Sequence, residues 1–275
     1  YDGDGITDRA IYDPANGRWF IRSADGTVLE WGTEWGFAGA RAVAGDYDGD
    51  GWLDLAVFDM SNGTWYIRGA DDTILAWNLN WGYAGVMPVS GDYDGDGADD
   101  LAVWDPATGR WFIRTLTGEL LAWDVPWGYA GVTPVSGDYN GDGADDLAVY
   151  DGSNGTWYIR GLDATILAWG LEWGYAGALP VPGDYDGDGA DDLAVYDATA
   201  GRWYLRALAG ALIGWDVPWG YAGTRAVSGD YDGDGVFDLA VYDPVTGKWY
   251  VLSLGGAVLL YDESWGYPGA QPVGP

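Results

Sequence analysis

Short runs of alternating apolar and polar residues, separated by glycine-rich turns, follow one another along the whole chain. In one such run Leu101 and Val103 alternate with Ala102 and Trp104, which is the period-two signature of a strand. The pattern predicts strands over residues 101–105, 110–115 and 119–125, with a short fourth strand over 134–137. No stretch shows a helical period of useful length, so the pattern predicts an all-β protein.

The same pattern returns with a fixed period. An Asp-rich segment starts at Asp46, Asp92, Asp138, Asp184 and Asp230, each 46 residues after the last. Four short antiparallel strands per repeat are typical of a propeller blade. We therefore predict a single domain over residues 1–275, an all-β six-bladed β-propeller with four antiparallel strands per blade. Since the chain starts and stops within one motif, we expect the C-terminal strand to complete the first blade. The start without Met, in the middle of a motif, also predicts a mature form or an excised domain.

The Asp-rich segments have the spacing of a calcium loop. Asp92, Asp94 and Asp96 alternate toward one point, the carbonyl of Ala98 adds a neutral ligand, and Asp100 closes the shell. This oxygen-only set suits a hard cation that takes six to eight oxygens. Plain acidic turns would not keep these positions in register over so many copies, so the sequence favours calcium as the cofactor.

The same positions in the other repeats predict five complete loops and a deficient one at the N-terminus, which has no first-position Asp. In the fourth loop Asn140 replaces Asp but keeps a carbonyl oxygen. The predicted metal ligands are Asp2, Asp4, Ile6 and Asp8; Asp46, Asp48, Asp50, Trp52 and Asp54; Asp92, Asp94, Asp96, Ala98 and Asp100; Asp138, Asn140, Asp142, Ala144 and Asp146; Asp184, Asp186, Asp188, Ala190 and Asp192; and Asp230, Asp232, Asp234, Val236 and Asp238, with Ile6, Trp52, Ala144, Ala190 and Val236 acting through their carbonyls like Ala98.

The composition limits which partners, metals and cellular locations fit the chain. The formal net charge of −31 argues against nucleic acid or an anionic membrane as partner, and no apolar run is long enough for membrane insertion. The chain has no Cys and no His, which removes zinc and copper sites and every Ser/His/Asp or Cys/His arrangement. Loops of this kind fill where calcium is abundant, so we expect an extracellular protein, secreted or at the cell surface, that is not an enzyme.

The loop from Asp92 to Asp100 running into residues 101–103, preceded by the aromatic-Gly pair Trp81-Gly82, resembles the FG-GAP repeats of integrin α-subunit propellers. It is also similar to the VCBS-type repeats of bacterial secreted and surface proteins. The resemblance covers the whole chain. It implies a calcium-stabilised propeller used for adhesion, protein contact or carbohydrate contact.

Columns of aromatic residues have two interpretations. They fill the contacts between blades, or those in the connectors between repeats stack on sugar rings. The candidate ligand-binding residues are Trp35, Trp81, Tyr83, Trp127, Tyr129, Trp173, Tyr175, Trp219, Tyr221 and Trp265. A column of arginines that includes Arg114 is predicted to pair with carboxylates such as Asp105. The predicted function is adhesion or recognition of carbohydrate or extracellular protein; the alternatives are a structural repeat that self-assembles outside the cell and, less favoured, a glycan-cleaving enzyme.

Overall fold

The computed structural model describes residues 1–274, and the predicted match of Pro275 to Gly91 in the repeat lies outside these residues. Six four-stranded antiparallel sheets follow one another along the chain. The strands of the first three blades are β1 (Arg9–Asp13), β2 (Arg18–Arg22), β3 (Val28–Glu34), β4 (Arg41–Ala42), β5 (Leu55–Asp59), β6 (Thr64–Arg68), β7 (Ile74–Asn80), β8 (Met87–Pro88), β9 (Leu101–Asp105), β10 (Arg110–Arg114) and β11 (Leu120–Pro126). Those of the other blades are β12 (Thr133–Pro134), β13 (Leu147–Asp151), β14 (Thr156–Arg160), β15 (Ile166–Glu172), β16 (Leu179–Pro180), β17 (Leu193–Asp197), β18 (Arg202–Arg206), β19 (Leu212–Pro218), β20 (Arg225–Ala226), β21 (Leu239–Asp243), β22 (Lys248–Leu252), β23 (Val258–Ser264) and β24 (Gln271–Val273).

The six-bladed propeller predicted from the sequence is confirmed. Blade one takes its innermost strand from the C-terminus, because β24 pairs antiparallel with β1 through Ala10 and Val273. The other blades use consecutive strands, from β4–β7 in blade two to β20–β23 in blade six. Closing the ring in this way pairs both ends of the chain inside one sheet and leaves fewer open sheet edges.

Strand bounds differ slightly from the prediction. The innermost strand of blade four was predicted over residues 134–137 but is Thr133–Pro134. Beyond it the chain keeps only single contacts, such as Val135 N–H to Ala148 O at 2.9 Å and a bridge between Gly137 and Asp146, because it is already turning into the acidic loop. In blade three the strand predicted over residues 110–115 is Arg110–Arg114, and the strand predicted over 119–125 is Leu120–Pro126.

The core lies between neighbouring blades rather than inside one of them. Every residue of β9 is buried, since both faces of this strand are covered by adjacent sheets. Trp104 and Trp111 of blade three pack with Leu147 and Val149 of blade four in one cluster. The Trp111 indole N–H donates to the carbonyl of Trp127 at 2.8 Å, which fixes the connector to its blade.

The outermost strands carry a bulge. In blade three the register between β10 and β11 shifts around Ile113, and Asp124 has a φ of 60°. Asp is one of the few residues that tolerate this left-handed conformation. Bulges bend a strand and re-aim its side chains. This one follows Trp123, which projects into solvent and is 64% exposed.

The seam that closes the ring, between blades six and one, differs chemically from the others. Arg9 stands where other blades have a buried Leu such as Leu55, yet it is only 3% exposed. Its guanidinium donates to Ser23 O at 2.8 Å and lies 3.8 Å from Glu263 of blade six, which Arg22 also contacts at 2.8 Å. The two ends of the ring therefore meet through a partly buried ionic cluster.

This cluster gives a stability prediction. Glu263→Val alone should lower the free energy of unfolding by about 2 kcal/mol, because it leaves the buried Arg9 charge with one carbonyl partner. Adding Arg9→Leu should recover most of that loss, since the pair then resembles the apolar seams. Urea unfolding of the two variants checks this, and a double variant no more stable than Glu263→Val would contradict it.

Candidate metal loops and aromatic clefts

Each complete acidic loop is shaped by its first Asp. In the loop of blade two the two carboxylate oxygens of Asp46 accept the backbone N–H groups of Gly49 at 2.8 Å and Gly51 at 2.7 Å. Gly51 has a φ of 87°, a left-handed conformation that favours glycine. The Trp52 N–H donates to Asp50 at 2.9 Å. These bonds bend the loop around one point, as the sequence predicted.

Carboxylate oxygens converge inside these loops. Three of them lie within 4.8 Å of one another in four loops. The groups are Asp46, Asp48 and Asp50; Asp92, Asp94 and Asp96; Asp184, Asp186 and Asp192; and Asp230, Asp232 and Asp234. In the loop of blade five the third member is thus Asp192, where the sequence also predicted Asp188. Three carboxylates at such distances repel one another unless a cation lies between them.

The last Asp of each complete loop is buried. Asp54 is 1% exposed; one of its oxygens accepts the Tyr47 N–H at 2.8 Å, and the other, Oδ1, has no hydrogen-bond partner. Desolvation, with a smaller contribution from the neighbouring loop carboxylates, raises the pKa of Asp54 to about 7. Burial likewise raises the pKa of Asp100, Asp146, Asp192 and Asp238 to about 7.

This donor set fits a hard divalent cation. A buried carboxylate oxygen without a partner, next to several converging carboxylates, is costly unless a cation satisfies it. Every donor is an oxygen, which is the ligand chemistry of calcium or magnesium rather than of zinc or copper. The complete loops therefore could hold a metal ion.

Two loops depart from this pattern. In blade four the Asn140 amide donates to both oxygens of Asp146, at 3.3 and 3.4 Å, so its carbonyl oxygen would face the loop only after the amide turns over. In blade one the Asp8 carboxylate lies 2.8 Å from the amino group of Tyr1, and burial raises its pKa. Among residues 1–274 neither loop has three converging carboxylates.

Aromatic rings form a cleft on the outer side of the seams between blades. At the seam of blades two and three, Trp81 and Trp123 have ring centroids 5.9 Å apart, and Tyr83 packs edge-on against Phe112 at 6.2 Å. Phe112 also contacts Trp123 at 5.2 Å, and the Arg114 guanidinium lies 5.6 Å from the Trp81 ring centroid. The rings line a cavity of about 310 Å³.

The cleft recurs around the ring with small changes. The indole pairs in contact, all tilted or edge-on, are Trp265 with Trp31, Trp35 with Trp77, Trp81 with Trp123, Trp127 with Trp169, and Trp173 with Trp215. At the seam of blades five and six, Tyr261 stands where the others have the outer-strand Trp and packs against Tyr250.

The candidate ligand-binding residues are divided between core and surface. The connector rings of Trp35, Trp127 and Trp265 are buried, and the Trp127 N–H donates to Tyr158 O at 3.2 Å. Trp81, Trp173 and Trp219 are half-buried. Exposed rings belong to the connector tyrosines Tyr83, Tyr129, Tyr175 and Tyr221.

Sequence reasoning missed the outer-strand tryptophans, which are far more exposed than the connector rings of the same clefts. Trp31, Trp77, Trp123, Trp169 and Trp215 were assigned only to packing, yet Trp169 is 72% exposed. The available signal was their place on the last strand of each repeat, which has a neighbour on one edge only.

Comparison with known proteins places these features in a family. The FG-GAP-like repeat matches residues 1–57, 46–103 and 92–149, more than half of the chain, with the first four Asp-rich loops inside the matches. The chain belongs to the FG-GAP-like repeat family. The resemblance drawn from the loop sequence is thereby confirmed.

Solved structures share the fold of this FG-GAP-like propeller at low sequence identity. A lectin from Agrocybe aegerita that recognises non-reducing terminal N-acetylglucosamine aligns at a TM-score of 0.58 and 15% identity, over 93% of this chain and 75% of its own. A protein of unknown function from Bacteroides caccae (TM-score 0.57, 11% identity, 92% of both chains) and virginiamycin B lyase from Staphylococcus aureus (TM-score 0.57, 13% identity, 96% and 85%) are similar. No curated protein sequence matches the chain. No helix within residues 1–274 has the length and apolar character needed to cross a bilayer.

The FG-GAP-like loops also bond to one another across the seams, which sequence reasoning did not predict. The Asp99 N–H of blade three donates to Asp46 O of blade two at 2.6 Å, and Asp99 Oδ2 accepts the Asp46 N–H at 2.8 Å. Equivalent backbone bonds link the loops of blades three to four, four to five, five to six and six to one. A rigid loop therefore stiffens its neighbour.

The predicted pairing of the arginine column with carboxylates is found for Arg22 with Glu263 and for Arg68 with Asp72, but not with the strand-end aspartates. Arg114 stacks on Trp81 of the preceding blade, whereas Asp105 accepts the Tyr83 hydroxyl at 2.9 Å and the Ala107 N–H at 2.8 Å. Because groups of the turn and the connector already donate hydrogen bonds to the Asp105 carboxylate, Arg114 packs over the Trp81 indole instead. The Tyr–Asp contact recurs at most seams and links consecutive blades on the face opposite the acidic loops.

Proposed function

We propose that this FG-GAP-like propeller is an extracellular recognition module that binds calcium in its acidic loops and carbohydrate in its aromatic clefts. The observation that carries the proposal is the recurrence of an open cleft built from four rings, with one indole face in solvent. Sugar rings present a flat apolar face that stacks on such indoles, and arginines such as Arg22 and Arg114, which lie over the connector indoles, supply polar contacts.

Repetition of the cleft gives the proposal its mechanism. One exposed Trp and one Tyr form a weak site, but several equivalent sites on one ring engage a branched or surface-bound glycan together. Linked weak sites raise overall affinity by about 10²–10⁴ without any new contact. The fold likeness to the Agrocybe aegerita lectin shows that a chain of this shape accommodates sugar recognition in that protein; the clefts carry the proposal here.

The module is proposed to do no chemistry itself. The chain has no His or Cys, and its converging carboxylates lie in the loops assigned to metal. The departures from the repeat do not collect at any one aromatic cleft, whereas an active site needs several groups in one place. The acidic loops maintain the ring, and the clefts on its outer side meet the ligand.

The proposal predicts how a cleft variant behaves on a glycan array. With millimolar calcium present, the wild-type chain should bind a defined set of glycans, and Trp123→Ala should lower the signal because it removes one stacking face. Replacing all five outer-strand tryptophans should abolish it. Leu120→Ala, which removes an exposed apolar side chain from the same strand outside the cleft, is the matched control and should bind like wild type.

Other outcomes would contradict the proposal in distinct ways. An array silent with every glycan would favour a structural repeat that assembles with itself. Binding that survives loss of the five tryptophans would move the ligand site elsewhere on the ring. Turnover of a polysaccharide by the purified chain would contradict the non-catalytic part.

A further inference from the structure

The start of the innermost strands is where the six repeats differ most. Two residues further along, at or just past the end of the innermost strand, every repeat has Val, as at Val43 and Val89. The first position instead holds a different kind of side chain in most blades. These residues are Arg41, Met87, Thr133, Leu179, Arg225 and Gln271. These six positions form a circle around the propeller axis. Variation there, beside a uniform core, indicates that these positions have a role other than packing.

Four members of this circle line a cavity at the centre of the propeller. Arg41, Met87, Thr133 and Gln271 border a space of about 430 Å³, together with the prolines that follow them in the innermost strands. Each strand runs from its connector to its acidic loop, so this circle lies at the connector end of the central channel. At about 3.3 Å per strand residue, Arg41 is roughly 16 Å along the chain from Asp46.

Arg41 has no partner of opposite charge. Ten of the chain's twelve cations contact a carboxylate, a backbone carbonyl or an aromatic ring. Within residues 1–274 only Arg41 and Arg225 make none of these contacts. The chain has a net charge of −31 and carboxylates on every blade, so two arginines without a carboxylate partner at the same repeat position are an exception. An anionic ligand would explain it.

The surroundings of Arg41 suit an anion. Its side chain is exposed to solvent, yet desolvation lowers its pKa, which is the combination expected for a cation inside an open pit. A guanidinium stays charged at any physiological pH and offers a planar fork of donors that matches a carboxylate. Gln271 and Thr133 add an amide and a hydroxyl, and Met87 adds an apolar wall.

We propose that Arg41, supported by Gln271 and Thr133, binds the carboxylate of a small organic acid such as a uronic acid at the connector end of the central channel. Arg41 grips the carboxylate, the polar side chains meet its hydroxyl groups, and Met87 with the neighbouring prolines covers its carbon skeleton. This site is separate from the aromatic clefts and does not depend on their ligand.

The chain contains its own reporters for a test. It has only two methionines, Met87 in the cavity and Met60 in the turn after β5, at the seam of blades two and three. A chain labelled with [methyl-¹³C]methionine therefore gives one signal for the channel and one for a cleft seam. D-glucuronate is titrated in saturating calcium at constant ionic strength, with D-glucose as the neutral analogue.

Glucuronate should shift the Met87 signal saturably and leave Met60 in place, and glucose should shift neither. Arg41→Gln should weaken the glucuronate affinity about tenfold or more, since it removes a charge-assisted bidentate contact. Arg225→Gln is the matched control, because this arginine holds the same repeat position but does not line the cavity, and it should stay within about twofold of wild type. Unchanged melting temperatures confirm that both variants fold.

The opposite results would overturn the proposal. An unmoved Met87 signal, or equal affinity of wild type and Arg41→Gln, removes the site. Equal losses in the two arginine variants would indicate a diffuse charge effect instead of a bound carboxylate. A shift of Met60 alone would place glucuronate at a cleft, and equal binding of glucose would show that the carboxylate is not recognised.

Discussion

Chelating calcium is expected to lower the melting temperature of the propeller by more than about 20 °C, the largest effect that the structure predicts. Without cations four of the complete loops hold three carboxylates close together, and Asp54 keeps a buried oxygen without a partner. A ligand at a hundred times its dissociation constant stabilises a site by about 2.7 kcal/mol. Five complete loops, each joined by a backbone bond to a neighbouring loop, spread this effect around the ring.

Scanning calorimetry in excess chelator, and again after adding millimolar calcium or magnesium, measures this effect. Calcium should restore the melting temperature more than magnesium, whose small octahedral shell suits a loop of carboxylates poorly. Asp94→Ala, which removes the ligand oxygen altogether, should reduce the calcium stoichiometry by one, whereas Glu119→Ala, a charge change close to Asp94 but outside the predicted ligands, should not. The same melting temperature with chelator and with calcium would refute the metal assignment.

The metal-free chain should become less stable as pH rises from 5 to 7.5, which is unusual for an acidic protein. Desolvation raises the folded-state pKa of Asp54, Asp100 and their equivalents from 3.8 to about 7. A group with a raised folded-state pKa binds more protons folded than unfolded, so the stability it contributes is complete below about pH 4 and is lost as pH rises through about 7. Asp99 and Asp191, also near 7, act in the same direction.

Calcium should reverse the sign of this dependence. The cation stabilises the ionised carboxylates, so the loaded chain should lose stability as pH falls from 7.5 to 5 and protons compete with calcium. Melting temperatures in chelator and in calcium, measured across this range, should therefore have opposite slopes. Parallel slopes would mean that the buried aspartates are not the groups that take up calcium. Strand-end aspartates such as Asp197, whose pKa is lowered to about 2, titrate outside this range.

The sequence predicted those features that depend on spacing. Alternation located the strands, the 46-residue period located the blades, and the repeated Asp positions located the loops. Each of these is a property of one repeat. Asp54 illustrates the limit: its place in the loop was predicted, but its burial and its unpartnered oxygen depend on the strand that packs over it.

Features that depend on two blades were not predicted. Arg114 was expected to pair with Asp105, but Trp81 of the preceding blade takes the guanidinium and Tyr83 takes the carboxylate. Whether Trp123 lies in a core or in an open cleft depends on the distance between neighbouring sheets, and the sequence of a single repeat does not determine that distance. The same holds for Arg9. Within its own repeat it is a charge at a position where other blades have Leu, and its partner, Glu263, belongs to the last blade.

The central claim, that the acidic loops hold calcium and so maintain the ring, is tested most directly by crystals of the chain grown with calcium. An anomalous difference map should show one peak among the carboxylates of each complete loop, those that begin at Asp46, Asp92, Asp138, Asp184 and Asp230. Strong data without peaks at these loops would contradict the claim.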